Sequence, residues 1–486
     1  MKLLSTISAR SPILGRYGKG DTGIVGVQID SREVQKDNLY AAMIGGTVDG
    51  HDFIEQSIER GATAILCSKL PKAINPLICY VLVENVAEAL GEICLNFYDR
   101  KIENLRIIGV TGTNGKTSVC TLLFDLFRLR KHTCGLISTV ENRIGEKILP
   151  STHTTPNIIA LHALLADMVD AGCDYCFMEV SSHAIEQNRI AGLPFLMGVF
   201  TNITHDHLDY HKTFDNYIKA KKQFFDRLPP NAFALTNKDD KNGMVMLQNT
   251  KAMRYTYAMK QSADFTVRVR ENDFSGMQLQ LNQQEFWTPL IGEFNAYNLC
   301  AVYATAFLLS NCDDSLPVQI SALGKVNGRF EVIQGPRRIT AIVDYAHTPD
   351  ALKNAIQTIN TIRKNSVNLI TVLGCGGNRD QAKRPEMARI ASELSNKVIL
   401  TSDNPRLEEP SSIIEQMELG VAGQNFKRIL KIVDRREAIK TACMLANPGD
   451  IVLVAGKGHE IYQDINGTKY PFDDKIVLKE SFELLS

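Results

Sequence analysis

The central part of the chain repeats a block in which a short apolar run is followed by a turn and then by a segment with helical spacing. Residues 105–110 form such a run, residues 112–115 have the composition of a turn, and apolar positions within 119–127 fall on one helical face. Strand, loop and helix in this order are the unit from which α/β domains are built. The same pattern predicts strands at 175–180 and 196–200 and helices at about 157–169 and 214–225.

A second α/β series begins after residues 324–331, and each of its four apolar strands runs directly into a polar or glycine-rich loop. Open parallel sheets bind ligands outside the carboxyl ends of their strands, so we expect these four loops to meet at one edge. The predicted strands are 339–343, 369–373, 398–400 and 451–455, and the loops are 344–347, 374–379, 403–406 and 456–460.

Length and pattern together predict three α/β domains. The chain has 486 residues, and a domain averages about 150. Residues 1–103 mix short strand-like segments with turns, whereas the regular α/β pattern starts at Leu105. We therefore predict an N-terminal domain over 1–103, a central domain with a parallel sheet over 104–332 and a C-terminal domain over 333–486.

Composition excludes several classes of function. The 54 Lys and Arg balance 54 Asp and Glu, so the chain has no broad basic field for nucleic acid or anionic membranes. No apolar run approaches the roughly 20 residues of a membrane span, and the first twenty residues lack an apolar signal core. We expect a soluble, cytoplasmic protein whose 11 scattered cysteines are reduced core residues.

A phosphate-binding loop is predicted between the first central strand and its helix. Glycines there let backbone N–H groups wrap a phosphate, Lys116 reaches β and γ oxygens, and Thr117 offers a hydroxyl to Mg²⁺. The spacing departs by one residue from the generic P-loop, because position 110 is valine and the upstream glycine is Gly109. The predicted ATP-binding residues of the loop are Gly112, Thr113, Asn114, Gly115, Lys116 and Thr117.

On these residues and several further motifs, the chain resembles the Mur ligase family, the ATP-dependent ligases that add amino acids to the cytoplasmic peptidoglycan precursor. The resemblance covers nearly the whole chain. It implies an N-terminal domain for the UDP end of the substrate, a central P-loop domain and a C-terminal Rossmann-like domain that closes over both. The motifs, in the family's order, are 111–117, 179–183, Asn202 with 206–211, Asn295 with Asn298, 328–331, 344–349 and 403–406.

The resemblance also implies Mg²⁺ beside ATP. In the family, residues matching Thr117 and Glu179 help hold the metal on the phosphates, and a second metal involves that glutamate, a histidine matching His207 and a carbamylated lysine. Lys221 matches this lysine and is predicted to be N6-carboxylysine, although a lysine run by itself is usually a solvated helix face. Carbamylation needs the neutral amine and creates an anion that Mg²⁺ accepts.

The implied reaction is amide formation through an acyl phosphate. A substrate carboxylate attacks the γ-phosphate, and an amine then displaces phosphate through a tetrahedral intermediate. By the resemblance, Asn298 contacts adenine, Arg329 the ribose or phosphates, and Asp344 the ribose. The predicted catalytic residues are Lys116, Glu179, His207, Lys221 and His347.

The family's UDP-sugar-peptide should lie across the first two domains. Ser31 matches a contact at the uridine end, although the segment 30–32 also has the sequence of an ordinary turn cap. The other matching residues, which hold the sugar, the diphosphate and the D-Glu end, are Thr154, Thr155, Ser181, Gln187 and Arg189.

Residues 403–410 resemble the signature of members that add meso-diaminopimelate to UDP-MurNAc-L-Ala-D-Glu. Diaminopimelate has a second carboxylate that lysine lacks, and the guanidinium of Arg406 offers it a bidentate pair. Family members often have aspartate where this chain has Asn378, and Glu460 matches a contact to the distal ammonium. The remaining matched diaminopimelate contacts are Arg379, Asp403, Asn404, Pro405 and Gly456.

Three alternatives remain beside this interpretation. The first is an L-lysine-adding ligase of the same pathway. The second is an inactive nucleotide-binding regulator, which is disfavoured because the predicted catalytic residues are all present. The third is a P-loop motor, which is disfavoured by the shifted glycine spacing and by an amino-acid site in the third domain. We expect a monomer with no nucleic-acid partner.

Overall fold

The computed structural model describes residues 1–45, 48–151, 153–309 and 315–485, and its three largest sheets follow one another along the chain. They have five, eleven and six strands, and helices pack on both faces of the middle and third sheets. The predicted α/β class is confirmed. In these residues no helix is long and apolar enough to cross a membrane.

The N-terminal sheet has the strand order β2-β7-β6-β5-β4, with β2 antiparallel at one edge and the other strands parallel. Helix α3 begins where the side chain of Asn85 accepts the N–H groups of Ala87 and Glu88. The elements are β1 (Lys2–Leu3), α1 (Leu4–Ile7), β2 (Ile13–Gly18), β3 (Gly23–Ile24), β4 (Gly26–Gln28), β5 (Asn38–Ala41), α2 (Ile54–Glu59), β6 (Ala62–Cys67), β7 (Cys79–Val83) and α3 (Val86–Phe97).

The middle sheet has the order β11-β10-β9-β12-β8-β13-β14-β15-β16-β17-β18, with a parallel centre and antiparallel ends. Its strands are β8 (Arg106–Thr111), β9 (Cys134–Ile137), β10 (Glu141–Ile144), β11 (Lys147–Pro150), β12 (Tyr175–Glu179), β13 (Phe195–Phe200), β14 (Phe233–Asn237), β15 (Met253–Ala258), β16 (Phe265–Asp273), β17 (Gly276–Leu281) and β18 (Gln284–Thr288). Its helices are α4 (Lys116–Leu129), α5 (Ile158–Asp170), α6 (Ser182–Glu186), α7 (Leu208–His211), α8 (Phe214–Asp226), α9 (Gly243–Met246), α10 (Glu293–Leu309) and α11 (Leu316–Ser321).

Strand β8 lies between β12 and β13 in the parallel part of this sheet and is buried on both faces. Successive side chains of a strand point to opposite faces, so Ile108 and Val110 pack with α4 and α10 while Ile107 packs with α5 and α8. Gly109 faces the second layer, where an added Cβ would lie 2.6 Å from the ring of Phe224. Glycine there lets α8 approach the strand closely.

The third sheet has the order β19-β20-β24-β21-β22-β23, and all strands except β19 are parallel. The four predicted strands are adjacent in it, so their loops lie along one edge as predicted. Its elements are β19 (Glu331–Gln334), β20 (Thr340–Asp344), α12 (Pro349–Ile362), β21 (Leu369–Cys375), α13 (Lys383–Leu394), β22 (Lys397–Ser402), α14 (Pro410–Glu418), β23 (Ile429–Lys431), α15 (Arg435–Leu445), β24 (Ile451–Ala455), β25 (Tyr462–Ile465), β26 (Thr468–Pro471) and α16 (Asp474–Glu483).

One predicted boundary lies within an observed strand. The division between residues 332 and 333 falls inside β19, which pairs with β20 through Glu331 and Val343. The third sheet therefore begins at Glu331. The mixed composition of 328–334 concealed this strand, because an edge strand with few buried residues has a weak apolar signal.

A wholly buried ion pair joins α15 to α16. The guanidinium of Arg435 donates two hydrogen bonds of 2.7 Å to the carboxylate of Asp474, and both side chains are fully excluded from solvent. Arg435 also donates to the carbonyl of Ala455, the last residue of β24. The pair thus connects two helices to the end of a strand that leads into one of the four loops.

We predict that Asp474→Ala lowers the free energy of unfolding of the third lobe, the part of the chain built on the third sheet, by about 3–5 kcal/mol. The substitution leaves a buried guanidinium unpaired. Denaturant titration followed by circular dichroism measures this change. The matched control is Glu480→Ala, which removes an exposed partner of Arg436 on the same two helices and should cost about 0–1 kcal/mol. Equal losses in the two variants would contradict the prediction.

Candidate active site

The carboxyl ends of the middle and third sheets face one another across a cavity of about 230 Å³. Loops after β8 and β12 line one side, and loops after β20, β21, β22 and β24 line the other. The cavity therefore brings together residues that are far apart in sequence. The predicted site residues that line it are Gly112, Thr113, Asn114, Gly115, Lys116, Thr117, Thr154, Glu179, Ser181, His207, Lys221, Arg329, His347, Arg379, Asp403, Asn404, Arg406, Gly456 and Glu460.

The loop between β8 and α4 is tightly wrapped. Gly112 and Gly115 have φ values of +153° and +89°, and an added Cβ at Gly112 would lie 1.9 Å from Thr201 Oγ1. The ammonium of Lys116 donates hydrogen bonds of 2.8 Å to the carbonyls of Gly112 and Thr113. The residue that precedes α4 is Gly115, which has no side chain to cap the first turn. A loop of this form at a helix N-terminus suits a phosphate group.

Glu179 at the end of β12 is almost wholly buried, and hydroxyl and amide groups surround it. Its Oε1 accepts hydrogen bonds from Thr117 Oγ1 at 2.8 Å and from the N–H of Thr139 at 2.7 Å. Arg329 donates to the same Thr117 hydroxyl at 3.0 Å. A buried carboxylate beside a hydroxyl and a phosphate loop is the oxygen donor set that Mg²⁺ prefers.

The donor set fits a Mg²⁺ that is shared with bound phosphates. Among the residues that the structure describes, no group of three or more His, Cys, Asp or Glu side chains forms a metal cage. Mg²⁺ commonly uses one or two protein carboxylates and takes its other ligands from water and substrate phosphates. Glu179 and Thr117 are sufficient for that mode of binding.

Lys221 is buried directly beneath the phosphate loop. Its Nζ donates to the carbonyl of Gly112 at 2.9 Å and lies 4.7 Å from the ring centre of Tyr217. Burial, reinforced by the charge of Lys116, holds the pKa of Lys221 well below its usual range. This shift favours the neutral amine, which is the form that carbamylation requires.

His207 and His347 approach the cavity from opposite lobes, and both are neutral. Burial lowers the pKa of His207 to about 3 and that of His347 to about 4. The Nδ1 of His347 is 2.9 Å from the carbonyl of Tyr345, and Lys383 donates to the carbonyl of His347. Sequence reasoning did not identify Lys383, whose position on α13 looks like part of an ordinary charged helix.

A second cavity of about 1000 Å³ meets the first at the phosphate loop. Three predicted nucleotide contacts, Asn298, Asp344 and Arg329, line it together with Asn114. Burial raises the pKa of Asp344 to about 6, and its carboxylate accepts the N–H of Phe330 at 2.6 Å. The junction of the two cavities is thus arranged for a nucleoside on one side and its phosphates on the other.

Arg406 projects from a constrained backbone. Its φ of +53° is in the left-handed region, and its N–H and carbonyl bond to Asp464 and Asn466 on the β25–β26 hairpin. Its guanidinium donates to the carbonyl of Gly377 at 2.7 Å. Asn378 joins the two loops, because its side-chain oxygen accepts the N–H of Leu407 at 3.0 Å, a bond that aspartate at this position could also form.

The predicted residues for the UDP-sugar-peptide are more dispersed. Thr155 and Arg189 do not line the cavity but support it: Thr155 Oγ1 donates to the carbonyl of Glu179, and Arg189 donates to Gln187 Oε1 and to the carbonyl of Thr155. Gln187 lines a third cavity of about 660 Å³ between the first two lobes. Ser31 donates to Gln56 at 2.7 Å and lines none of the three cavities described here.

Pro405 also lies outside these cavities, and it precedes Arg406 in the loop.

The same edge of the third sheet contains Lys457, which the sequence analysis did not select. Its side chain is wholly buried beside Asp403 and Glu460. The sequence feature that could have identified Lys457 is its position between two glycines, directly after a buried strand.

Three family models match successive parts of the chain. The model described as "Mur ligase family, catalytic domain" matches residues 23–98. "Mur ligase middle domain" matches residues 110–306, and "Mur ligase, glutamate ligase domain" matches residues 328–458.

Similar proteins cover nearly the whole chain. A UDP-N-acetylmuramoyl-L-alanyl-D-glutamate–2,6-diaminopimelate ligase from Cytophaga hutchinsonii is 54% identical over 469 residues, 96% of each chain. A ligase of the same name from Bacteroides fragilis is 51% identical over 484 residues, 100% of each chain. A solved structure of a ligase of that name has a TM-score of 0.67 and 33% identity, covering 95% of each chain.

We predict that Lys116→Met weakens nucleotide binding about 10–100-fold, because a hydrogen bond to a charged group contributes about 1.5–3 kcal/mol. Titration with a fluorescent ATP analogue measures the dissociation constant. Lys131→Met, at an exposed position just beyond the C-terminal end of α4, is the control and should leave binding unchanged. Unaltered affinity in the Lys116 variant would show that this loop does not hold the phosphates.

Proposed function

The chain belongs to the Mur ligase family, and from this premise we propose that it joins meso-2,6-diaminopimelate to the D-glutamate carboxylate of UDP-MurNAc-L-Ala-D-Glu with hydrolysis of ATP. The observation that carries the proposal is the shared cavity, which the phosphate loop lines from one lobe and the Arg406 loop from another. The family's role in building the cytoplasmic peptidoglycan precursor supports a cytoplasmic location.

The first step joins two anions. A carboxylate oxygen of D-glutamate attacks the γ-phosphorus of ATP in line, ADP leaves, and an acyl phosphate forms. Lys116 and Arg329 offset the repulsion between carboxylate and triphosphate, and their positions are fixed before the substrates arrive. Bound Mg²⁺, held through Thr117 and Glu179 with His207 and carbamylated Lys221 at a second ion, would supply further charge neutralisation.

The second step forms the amide. The amine nitrogen of the amino acid attacks the acyl carbon, the tetrahedral intermediate releases inorganic phosphate, and the nitrogen loses a proton. The third lobe orients the amine, because the predicted amino-acid contacts all lie on loops after β21, β22 and β24. Neutral His347 lies where the two lobes meet and adds no competing charge.

Selection of the amino acid follows from charge. The guanidinium groups of Arg406 and Arg379 offer the distal carboxylate of diaminopimelate charge-assisted bonds, and Glu460 offers its distal ammonium an acceptor. L-lysine has no second carboxylate and would leave these cations without a partner. A site built for a polar group rejects analogues that lack it by up to roughly 10⁴-fold.

The UDP-linked substrate lies across the first two lobes in this proposal. Thr154 and Ser181 line the cavity beside Glu179, while Thr155 and Arg189 fix the backbone around them. We assign residues 1–103 to the UDP end, the segment from 104 to the start of β19 to ATP, and the remainder to the amino acid. A monomer is sufficient, because a single chain supplies both sides of the cavity.

An amino-acid panel tests this function. With ATP and UDP-MurNAc-L-Ala-D-Glu, we expect meso-diaminopimelate to support phosphate release and L-lysine to support it barely. Arg406→Ala should lose most use of diaminopimelate while its affinity for ATP stays unchanged. Equal rates with the two amino acids, or an unaltered apparent affinity for diaminopimelate in the variant, would refute the role of Arg406.

We predict that Lys221→Met lowers the rate of amide formation roughly 10–100-fold, the range found when a metal ligand's environment is lost. The control is Lys222→Met on the same helix, whose ammonium pairs with Asp226 at 2.7 Å and points away from the loop. Its rate should stay within about twofold. Comparable losses in both variants would indicate damage to α8 rather than a specific role of Lys221.

A further inference from the structure

A buried ammonium lies under the amino-acid end of the cavity, and the mechanism above does not use it. The side chain of Lys457 has no exposure to solvent. Its Nζ donates to Asn404 Oδ1 at 3.0 Å and to Glu460 Oε2 at 3.1 Å, and lies 3.6 Å from Asp403 Oδ1. These three neighbours line the cavity, whereas Lys457 does not. Lys457 therefore acts on a ligand only through them.

The contacts of Lys457 fix which way the Asn404 amide points. Asn404 Oδ1 accepts from Lys457 Nζ and also from the N–H of Asp464 at 2.9 Å. With its oxygen committed to two donors, the amide turns its Nδ2 toward Glu460 and donates to Oε2 at 2.7 Å. Both halves of the amide are thus used, and its orientation is determined.

The Glu460 carboxylate is oriented in turn. Its Oε2 accepts from Lys457 and Asn404, while the nearest donor to Oε1 is the hydroxyl of Tyr345 at 3.5 Å. Oε1 is therefore the oxygen with capacity for a further strong hydrogen bond. The Glu460 carboxylate is therefore already oriented to accept a hydrogen bond from an ammonium group of a ligand through Oε1.

Charge gives Lys457 a second effect on Glu460. Asp403 and Glu460 are both largely buried, and burial together with the charge of Asp403 raises the pKa of Glu460. The charge of Lys457 opposes that rise. Other charged or titratable groups around the cluster include Tyr345, Cys375, Arg379, Arg406, Arg435, His459, Tyr462 and Asp464.

We propose that Lys457 is a positioning residue of the amino-acid site, which orients the Glu460 carboxylate and turns its Oε1 toward the ammonium of a zwitterionic substrate. The proposal rests on the proposed function and adds a residue to it. Lys457 touches neither the substrate nor the phosphates; its effect passes through Glu460 and Asn404.

The test compares Lys457→Met with Lys469→Met. Lys469 is an exposed lysine 4.3 Å from the ring of Tyr462, and Lys457 lies 5.7 Å from the same ring. We expect Lys457→Met to raise KM for meso-diaminopimelate roughly 10–100-fold, with KM for ATP and for the UDP-linked substrate within about twofold. Lys469→Met should resemble the wild type in all three constants.

The pH profile separates a charge effect from a packing effect. Without Lys457 the pKa of Glu460 is higher, so the carboxylate is protonated at a pH where the wild type has it ionised. The acidic limb of kcat/KM for meso-diaminopimelate should therefore move to higher pH, and activity should recover as pH rises. If the acidic limb does not shift, or if all three KM values rise in parallel, Lys457 has only a structural role and the proposal is wrong.

If the Lys457→Met variant does not fold, two further variants still test the proposal. Lys457→Gln keeps a hydrogen-bond donor of similar length without the charge and should show the same shift of the acidic limb. In a Glu460→Gln background, Lys457→Gln should change KM for meso-diaminopimelate by less than about twofold, because its effect requires the carboxylate. A wild-type profile for Lys457→Gln, or additive losses in the double variant, would contradict the proposal.

Failure of this proposal can be distinguished from failure of the proposed function. If the wild type uses meso-diaminopimelate and the Lys457 variants keep its KM and pH profile, only the positioning role is wrong. If the wild type does not use meso-diaminopimelate, the assigned function is wrong, and the same variants are measured with the amino acid that the panel identifies.

Discussion

A carboxylate and a triphosphate repel each other, and the structure around the cavity offsets that repulsion by placing cationic side chains where the two anions would meet. Parallel strands place their following loops at one edge, so two sheets set edge to edge can surround a small volume with loops from both. Lys116 of the phosphate loop and Arg329, which lies just before β19, converge there with Glu179 and Thr117 between them. The remaining features of the site are arranged around this pairing of two anions.

Contacts between the lobes hold the cavity in its shape. Asn114 of the phosphate loop donates to Asp350 at the start of α12 at 3.0 Å, and His205 Nε2 lies 3.3 Å from Asp380 Oδ2. They are polar and partly exposed, which is typical of interfaces that open and close. By contrast, the wholly buried pair of Arg435 and its aspartate lies inside the third lobe and supports the base of an active-site loop.

The sequence allowed the fold class and the edge of the third sheet to be predicted, because strands buried on both faces appear as apolar runs followed by polar loops. It did not reveal β17, although Leu279 and Leu281 are buried and alternate with the less buried Gln278 and Gln280. Lys457 was missed for a different reason. The pattern of a sequence does not show that a lysine is buried, since two of its partners, Asp403 and Asn404, come from the loop after β22.

The central claim is that ATP activates a substrate carboxylate within this cavity. Labelling the D-glutamate side-chain carboxylate of the UDP-linked substrate with ¹⁸O and analysing the products by mass spectrometry tests it most directly. The account predicts that one labelled oxygen passes to inorganic phosphate for each amide formed, with ADP as the other product. Phosphate that carries no label, or release of AMP, would contradict it.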